Sequence, residues 1–208
     1  MSPASGTPER ETAARFCPRC GGATVRRPEG GRERACCPAC GHVAFGRFSV
    51  GVGGLLVHQG RVLLVQRAHE PGRGRWTLPG GYAEEDEPPD AAVVREIREE
   101  TGLRVTAAEL LAVRHAQMSD QQNAYYVYRV RLAGQIEDLE ADGVEVAQAR
   151  LVEPERLGAL GEVGAISRWV VERCAAAGGL RRVPAAELPP PAPGQRWMAL
   201  YAGLGADG

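Results

Sequence analysis

The sequence contains no lysine, no long apolar run and no excess of charge of either sign. Arginine supplies all 25 basic side chains, against 26 acidic residues, and the net charge of −1 excludes nucleic-acid binding driven by overall charge. We attribute the missing lysine to genomic composition rather than to function. No stretch reaches the roughly 18 consecutive apolar residues of a membrane-spanning helix, and the polar segment 1–15 is unlike a secretory leader. We therefore expect a cytoplasmic protein without membrane segments.

The length and composition are those of a folded protein with one medium-sized domain and a small additional module. Of 208 residues, 44% are hydrophobic and 25% are charged, which excludes disorder over the whole chain. We predict a flexible tail, a cysteine-containing module, an α/β domain and a proline-rich tail, at 1–14, 15–47, 48–178 and 179–208 respectively. The prolines at 184, 189, 190, 191 and 193 lead us to expect no regular structure in the last segment and no need for this segment in catalysis.

The apolar patterning predicts a mixed α/β domain. Apolar, β-rich runs predict strands at 49–57, 61–67, 110–114, 124–132 and 147–152. A helix is predicted to begin at Pro88-Pro89-Asp90, because proline suits the first turn and an acid suits the positive end of the helix dipole, and to end at Gly102. A second helix is predicted over 164–177. Cys174 lies on its apolar stripe and is interpreted as a core residue.

Four of the six cysteines form two Cys-x2-Cys pairs, Cys17/Cys20 and Cys37/Cys40. Four thiolates suit tetrahedral Zn²⁺, and the glycine after the second cysteine of each pair permits the backbone turn around a metal. Because the module has few apolar residues, it needs such a cross-link to fold. The predicted zinc is structural, since four protein ligands leave no open position. Cys36 is an alternative to Cys37 as a ligand, although Cys37 precedes Pro-x-Cys as Cys17 does.

The competing interpretation of the cysteine module is a nucleic-acid-binding ribbon. Residues 1–47 contain eight arginines and four glutamates. A zinc ion with four thiolates contributes −2, which leaves about +2. This charge is weak support for nucleic-acid binding.

An acidic segment follows a glycine-rich loop. Glu96, Glu99 and Glu100 are spaced to share one helix face. Such a run can be a solvated face, but Arg95 beside it can hold a carboxylate, and the glycine-rich loop allows backbone carbonyls to approach. Clustered hard oxygen ligands suit Mg²⁺ or Mn²⁺ and indicate phosphate chemistry.

Residues 81–103 resemble the signature of the Nudix hydrolase family, G-x5-E-x7-R-E-U-x-E-E-x-G-U, where U is aliphatic. Every position matches without insertion, through Gly81, Glu87, Arg95, Glu96, Ile97, Glu99, Glu100, Gly102 and Leu103. The resemblance covers roughly 48–177, and the cysteine module is similar to the zinc ribbon fused to a subset of the family. It implies a Nudix α/β/α sandwich with a mixed β-sheet, preceded by a four-cysteine zinc ribbon.

The resemblance also implies a chemistry, in which a nucleoside diphosphate linked to another group is cut by attack of a metal-activated water on phosphorus. The implied ligands of Mg²⁺ or Mn²⁺ are the carboxylates of Glu96, Glu99 and Glu100 and the carbonyl of Gly80. Homodimerisation is common in the family, so a homodimer is the expected assembly.

Further roles follow from the same resemblance. Arg95 would orient Glu96 and Glu99, and Glu87 would hold the geometry between loop and helix. Glu145, on a loop after the signature, is the candidate general base, with a solvated loop glutamate as the alternative. Gln148 stands where related sequences often carry a glutamate, so no role is carried over to that position.

Relatives with an N-terminal ribbon tend to act on NADH, ADP-ribose or FAD. The sequence lacks the Ser-Gln-Pro-Trp-type stretch of the NADH-cleaving branch, so ADP-ribose and FAD rank above NADH. Three tyrosines at 125, 126 and 128 can stack on a base, although alternation along a strand lets only one or two face a pocket. Arg73, Arg75 and Trp76 are candidate contacts to phosphate and adenine, unless their loop is simply solvated.

Two other functions remain open at this point. One is a regulator whose Nudix pocket senses ADP-ribose while the ribbon contacts nucleic acid. The intact set of metal ligands and the weak ribbon charge argue against it. The other is a nucleotide-pool enzyme that releases pyrophosphate from oxidised nucleoside triphosphates.

Overall fold

The computed structural model describes residues 15–117, 121–174, 181–183, 185–190 and 198–202. The chain forms two compact units that divide between Arg47 and Phe48. Every helix in the described residues is too short or too polar to cross a membrane.

The first unit is a small antiparallel sheet next to two cysteine turns. Its strands follow one another in the order β1-β2-β3, with bounds β1 (Val25–Glu29), β2 (Arg32–Cys36) and β3 (Val43–Ala44). The described hydrophobic residues that it buries are Cys17, Ala35, Cys36 and Cys37. Phe16 and Phe45 are exposed. Within residues 15–47, this unit therefore has no aliphatic or aromatic core.

The described residues of the second unit form eight strands and two α-helices. In chain order they are β4 (Phe48–His58), β5 (Arg61–Arg67), β6 (Trp76–Thr77), α1 (Pro89–Thr101), β7 (Val105–Gln117), β8 (Gln122–Leu132), β9 (Val146–Val152), α2 (Ala165–Cys174), β10 (Arg181–Arg182) and β11 (Met198–Ala202). The sheet order is β10-β11-β7-β8-β4-β5-β6, and β9 pairs with β5. Strands β4 and β8 are parallel and the other pairs are antiparallel. The predicted mixed sheet is confirmed.

The two helices cover opposite faces of this sheet. Side chains alternate along β4, so that Val52 packs with the core cluster under α1 and Leu55 packs with the cluster under α2. Ile97 of α1 and Trp169 of α2 lie in these two clusters. The result is the expected α/β/α sandwich.

The helix α1 begins and ends where the sequence predicts. Pro88 precedes it in an extended conformation, and Pro89 occupies its first turn. At the other end Gly102 adopts a left-handed conformation with φ of 70°, and its N–H donates to the carbonyl of Arg98. These ends fix where the acidic face of the helix lies.

The proline-rich segment departs from expectation. Strand β11 pairs antiparallel with β7, and the side chain of Leu200 is fully buried under α2. The prediction that 179–208 lacks regular structure is therefore wrong, because the prolines precede this proline-free strand and do not interrupt it. The predicted end of the second helix, at 175–177, lies outside the described residues. Cys174 is confirmed as a core residue.

Candidate active site

The glycine-rich loop before α1 is held against β4 by backbone hydrogen bonds. The N–H of Gly54 donates to the carbonyl of Pro79 at 2.9 Å, and the N–H of Val52 donates to the carbonyl of Gly81 at 2.8 Å. At Gly80, φ is 145° and an added Cβ would overlap the Val52 carbonyl, so only glycine fits. The loop thus brings its backbone directly onto the carboxylates of α1.

Two of those carboxylates contact the loop. The N–H of Gly80 donates to Oε2 of Glu100 at 2.8 Å, and a Cβ added at Gly81 would lie 2.6 Å from the carboxylate of Glu96. Glu100 is 8% exposed, and burial raises its pKa to about 8 against the opposing effect of the Gly80 N–H. Burial also raises the pKa of Glu96, although Arg95 opposes the shift.

Arg95 connects the acidic residues of the signature. Its Nη2 lies 2.6 Å from Oε1 of Glu87, and its Nη1 donates to Oε1 of Glu96 at 2.9 Å and to Oε2 of Glu99 at 3.0 Å. Nη2 also donates to the carbonyl of Tyr82 at 3.0 Å. One planar guanidinium therefore contacts the loop and three carboxylates at once. Hydrogen bonds from Arg95 lower the pKa of Glu87.

Glu145 lies near the same carboxylates. Its negative charge contributes to the raised pKa of both Glu96 and Glu100, and the charge of Asp142 contributes at Glu100. Asp142 orders this loop, because its carboxylate accepts the backbone N–H of Val144, Glu145 and Val146 at 2.8–3.2 Å. Glu145 and Asp142 are therefore electrostatic neighbours of the signature acids.

These acids suit a hard divalent cation. Like charges that raise one another's pKa are relieved when a cation binds between them, and carboxylate oxygens are the donors that Mg²⁺ and Mn²⁺ prefer. The Glu99 side chain is 60% exposed and is held by Arg95, so one donor remains open to solvent. The donor set therefore fits the cation that the sequence predicts.

A cavity of about 420 Å³ adjoins the carboxylates on the α2 side of the sheet. It is lined by Arg67, Arg75 and Arg114, by Asn123, Tyr125, Gly51 and Pro71, and by residues 77–78, 80–82, 164–167 and 189–190. The described residues of its lining include three arginines and neither aspartate nor glutamate. Its wall at Gly80 and Gly81 is the same backbone that contacts Glu100 and Glu96. The cavity is therefore lined by arginine side chains and lies next to the acidic cluster.

The family follows from a match over this region. A family model described as the NUDIX domain matches residues 47–174, which are more than half of the chain. The chain belongs to the Nudix hydrolase family. A solved NUDIX hydrolase from Nitrosomonas europaea is 30% identical and has a TM-score of 0.64, with 76% of this chain and 91% of that one covered.

The curated relatives of this Nudix chain match over shorter stretches. A MutT-like protein of Streptomyces ambofaciens is 48% identical over 66 residues, which are 31% of this chain and 41% of the relative. An ADP-ribose pyrophosphatase of Methanocaldococcus jannaschii is 43% identical over 65 residues, which are 31% of this chain and 38% of that protein. The chain thus spans less than half of the length of these two relatives.

The three residues predicted to contact the substrate have different positions in the structure of this Nudix chain. Arg75 lines the cavity and pairs with Glu162 at 2.6 Å. Arg73 is not among the lining residues. Trp76 is 3% exposed and packs in the core under α2, with Arg150 over its ring. Its indole is therefore a core residue and not a base-stacking surface, because β6 pairs with β5 and turns the ring inward.

Of the three tyrosines on β8, one reaches the cavity. Tyr125 lines it, and the ring lies across Gly51 and Gly53 of the neighbouring strand. Tyr126 and Tyr128 pack against the cluster under α1. This is the split that strand alternation predicts. Burial raises the pKa of Tyr125, so its hydroxyl stays protonated and can donate a hydrogen bond.

Arg114 and Asn123 are two of the lining residues that sequence reasoning missed. Arg114 interrupts the apolar run 110–116 in the middle of β7, and a charged side chain inside such a strand is the one local signal that marks it. Asn123 carries no comparable signal. Its place in the cavity depends on the pairing of β8 with both β4 and β7.

The four predicted cysteines converge in the first unit. All four Sγ atoms lie within 4.8 Å of one another, with Cys17 and Cys40 at 3.6 Å and Cys20 and Cys37 at 3.5 Å. In a tetrahedral site with Zn–S bonds of about 2.3 Å, the sulfur atoms are about 3.8 Å apart. The cluster therefore has the dimensions to hold zinc.

Both cysteine turns have the same backbone. Gly21 and Gly41 each have φ of 72°, and their N–H groups donate to the carbonyls of Cys17 and Cys37 at 2.8 and 2.9 Å. Cys36 lies outside the cluster and its thiol contacts the carbonyl of Arg34. The structure thus favours Cys37 over Cys36 as the fourth ligand.

Proposed function

We propose that the chain is a divalent-metal-dependent pyrophosphohydrolase that cleaves a nucleoside diphosphate linked to another group. The observation that carries the proposal is the shared wall at Gly80 and Gly81, whose backbone contacts Glu100 and Glu96 on one side and lines an arginine-bearing cavity on the other. A diphosphate in this cavity would meet positive charge along its length and the metal-binding acids at one end.

The residues have distinct proposed roles. The carboxylates of Glu96, Glu99 and Glu100, with the Gly80 carbonyl, would hold Mg²⁺ or Mn²⁺, which supplies an acidified water and neutralises charge on phosphate oxygens. Arg95 would position Glu96 and Glu99, as its hydrogen bonds to both indicate.

Two further acids complete the proposed site. Glu145 would accept a proton from the attacking water, since it lies near enough to affect the pKa of Glu96 and of Glu100. Glu87 would hold Arg95 in place.

The preferred substrate is ADP-ribose or a dinucleotide, with FAD ranked above NADH. A relative with 43% identity over 65 residues is named ADP-ribose pyrophosphatase. A cavity of about 420 Å³ is in the usual range for small-molecule ligands. Tyr125, which lines the cavity, offers an aromatic edge and a hydroxyl to a base or a ribose. Together with the arginines, these features support a ligand that carries both phosphates and rings.

The test is a substrate panel at fixed Mg²⁺ with products identified by mass. The panel contains ADP-ribose, FAD, NADH, NAD, diadenosine polyphosphates and nucleoside triphosphates. We expect one preferred diphosphate to be cut to a nucleoside monophosphate, with activity lost in EDTA and restored by Mg²⁺. Folded, metal-loaded protein that cuts no member of the panel would contradict the proposal and favour the sensing function.

A second candidate function is hydrolysis of nucleoside triphosphates. The MutT-like relative, 48% identical over 66 residues, favours it. The same panel separates the two, because a triphosphate pyrophosphohydrolase releases inorganic pyrophosphate from a single nucleotide. We also propose a structural zinc in the cysteine cluster, and a homodimer that sedimentation would detect.

A further inference from the structure

Arg114 is a cavity arginine whose partners among the described residues carry no charge. Arg114 lies on β7 directly opposite Tyr125 of β8. Its Nη2 donates to Oδ1 of Asn123, and its guanidinium lies over the Tyr125 ring, 5.4 Å from the centroid. Both partners are neutral. Nε is buried and has no hydrogen-bond partner, and within the described part of the chain no carboxylate pairs with Arg114.

The two other arginines of the cavity are satisfied in different ways. Arg75 pairs with Glu162 at 2.6 Å, and Nε of Arg67 donates to the carbonyl of Pro71 at 3.0 Å. A buried charge is costly unless it is paired, and folded proteins rarely keep one without a partner. Burial also lowers the pKa of Arg114, because removing the guanidinium from water disfavours its charged form. Arg114 is thus the cavity residue that most needs an anion from outside the chain.

The position of Arg114 indicates which anion this is. Arg114 lines the same cavity as the backbone of Gly80 and Gly81, which also contacts Glu100 and Glu96. The acidic cluster would take the phosphate that reacts, together with its metal. Arg114, which lies outside that cluster, would reach a second group of the same ligand.

We propose that Arg114 binds a phosphoryl group of the substrate next to the one that is attacked, with Asn123 holding the guanidinium in place. The proposal rests on the proposed function and assigns to Arg114, which lies outside the signature, a role in substrate binding. Guanidinium and phosphate match in charge and in the geometry of paired hydrogen bonds. The Asn123 amide is itself fixed, because its Nδ2 donates to Oγ of Ser49 at 3.0 Å.

The test measures binding of methylenediphosphonate, a diphosphate analogue that cannot be hydrolysed, by calorimetry on the full chain at fixed Mg²⁺. In Arg114→Met we expect the dissociation constant to rise about 10- to 100-fold, as expected for loss of a charge-assisted hydrogen bond. The matched control is Arg131→Met on β8, whose side chain is 70% exposed and lies outside the cavity. Equal binding by wild type and Arg114→Met, or no binding by wild type, would overturn the proposal.

A second variant keeps the test valid if Arg114→Met does not fold. Asn123→Asp changes one atom and gives Arg114 a carboxylate inside the chain. We expect it to weaken diphosphonate binding at least about tenfold, because the new charge competes with the ligand. Unchanged affinity in this variant would also refute the role of Arg114. Because the analogue is never cleaved, these results stand whether or not the substrate panel finds turnover.

Discussion

At the scale of single residues, the decisive feature is the position of Glu100. Its carboxylate is buried, accepts the N–H of Gly80 and lies beside Glu96. We predict that Glu100→Gln or Glu99→Gln lowers turnover at least about 100-fold. Mutation of residues that only hydrogen-bond to metal ligands already costs up to about 100-fold in activity, and loss of a ligand itself should cost at least as much. Steady-state rates on the substrate identified by the panel would measure this. Glu172→Gln on α2, an exposed acid paired with Arg168, is the control.

The same variants report on folding. Removing a carboxylate from a group of mutually repelling acids should leave the melting temperature unchanged or raised. If both variants turn over at nearly the rate of wild type, the proposed metal site is wrong. A loss of activity that accompanies unfolding would instead assign these residues a structural role.

The residues of this site differ in how far the sequence reveals them. The acids and Arg95 fall within one 23-residue signature, so local spacing on a helix is enough to place them together. Arg114 reaches the cavity only through the pairing of β7 with β8 and β11. Trp76 shows the opposite case. Its place beside the signature predicts a contact with the substrate, but its side chain is buried in the core. Proximity in sequence predicts contacts along a helix, but it does not predict which face of a strand is buried.

At the scale of elements, α1 is held close to β4 by a glycine. A Cβ added at Gly54 would overlap Cδ1 of Ile97 and lie 3.2 Å from Cγ2 of Val93. Both side chains are fully buried, so they would have to repack within the core. We predict that Gly54→Ala lowers the free energy of unfolding by about 1–3 kcal/mol through overpacking. Urea denaturation would measure the change.

Gly158→Ala is the matched control for this prediction. Gly158 lies in the short 3-10 helix Pro154–Leu160, and nothing lies within 4 Å of its added Cβ. We expect this variant to be as stable as wild type or slightly more so, because alanine restricts the unfolded chain. If Gly54→Ala were equally harmless, α1 would not be tightly packed on β4.

Strand β11 was not predicted from the sequence. Its side chain at Leu200 is fully buried with α2 residues, although the segment before it is rich in proline. We predict that Leu200→Ala lowers the free energy of unfolding by about 2–5 kcal/mol, and that deletion of 179–208 is more damaging still. Val57→Ala, where the side chain is 40% exposed, should cost about 1 kcal/mol or less. A truncated chain that melts like wild type would show that β11 is dispensable.

The strands and helices also show why local pattern succeeds in some places and fails in others. The ends of α1 follow from Pro89 and Gly102, whose effects are local. The prediction for the last segment applied the effect of its prolines to residues beyond them. Proline disrupts regular structure only close to its own position, so the proline-free residues of β11 can form a strand. The partner of β11 is β7, more than eighty residues earlier, and no periodicity within either strand encodes that pairing.

At the scale of the whole molecule, the two units have different sources of stability. The second unit buries two hydrophobic clusters on the two faces of its sheet. In the described part of the first unit, the buried hydrophobic residues are three cysteines and one alanine. A unit with so little apolar burial cannot offset the loss of conformational entropy by packing alone. Metal binding at the four cysteines would supply the difference.

Zinc removal should therefore unfold one unit and leave the other intact. We predict about one equivalent of zinc in native protein, and we expect a chelator that removes it to make residues 15–47 sensitive to protease while the Nudix unit stays folded. Cys37→Ser should lose the metal, because Cys37 is one of the four converging sulfurs. Cys36→Ser is the matched control, since this neighbouring thiol lies outside the cluster and donates a hydrogen bond to the carbonyl of Arg34. Native protein with far less than one equivalent of zinc, or a first unit that resists protease after chelation, would contradict the zinc assignment.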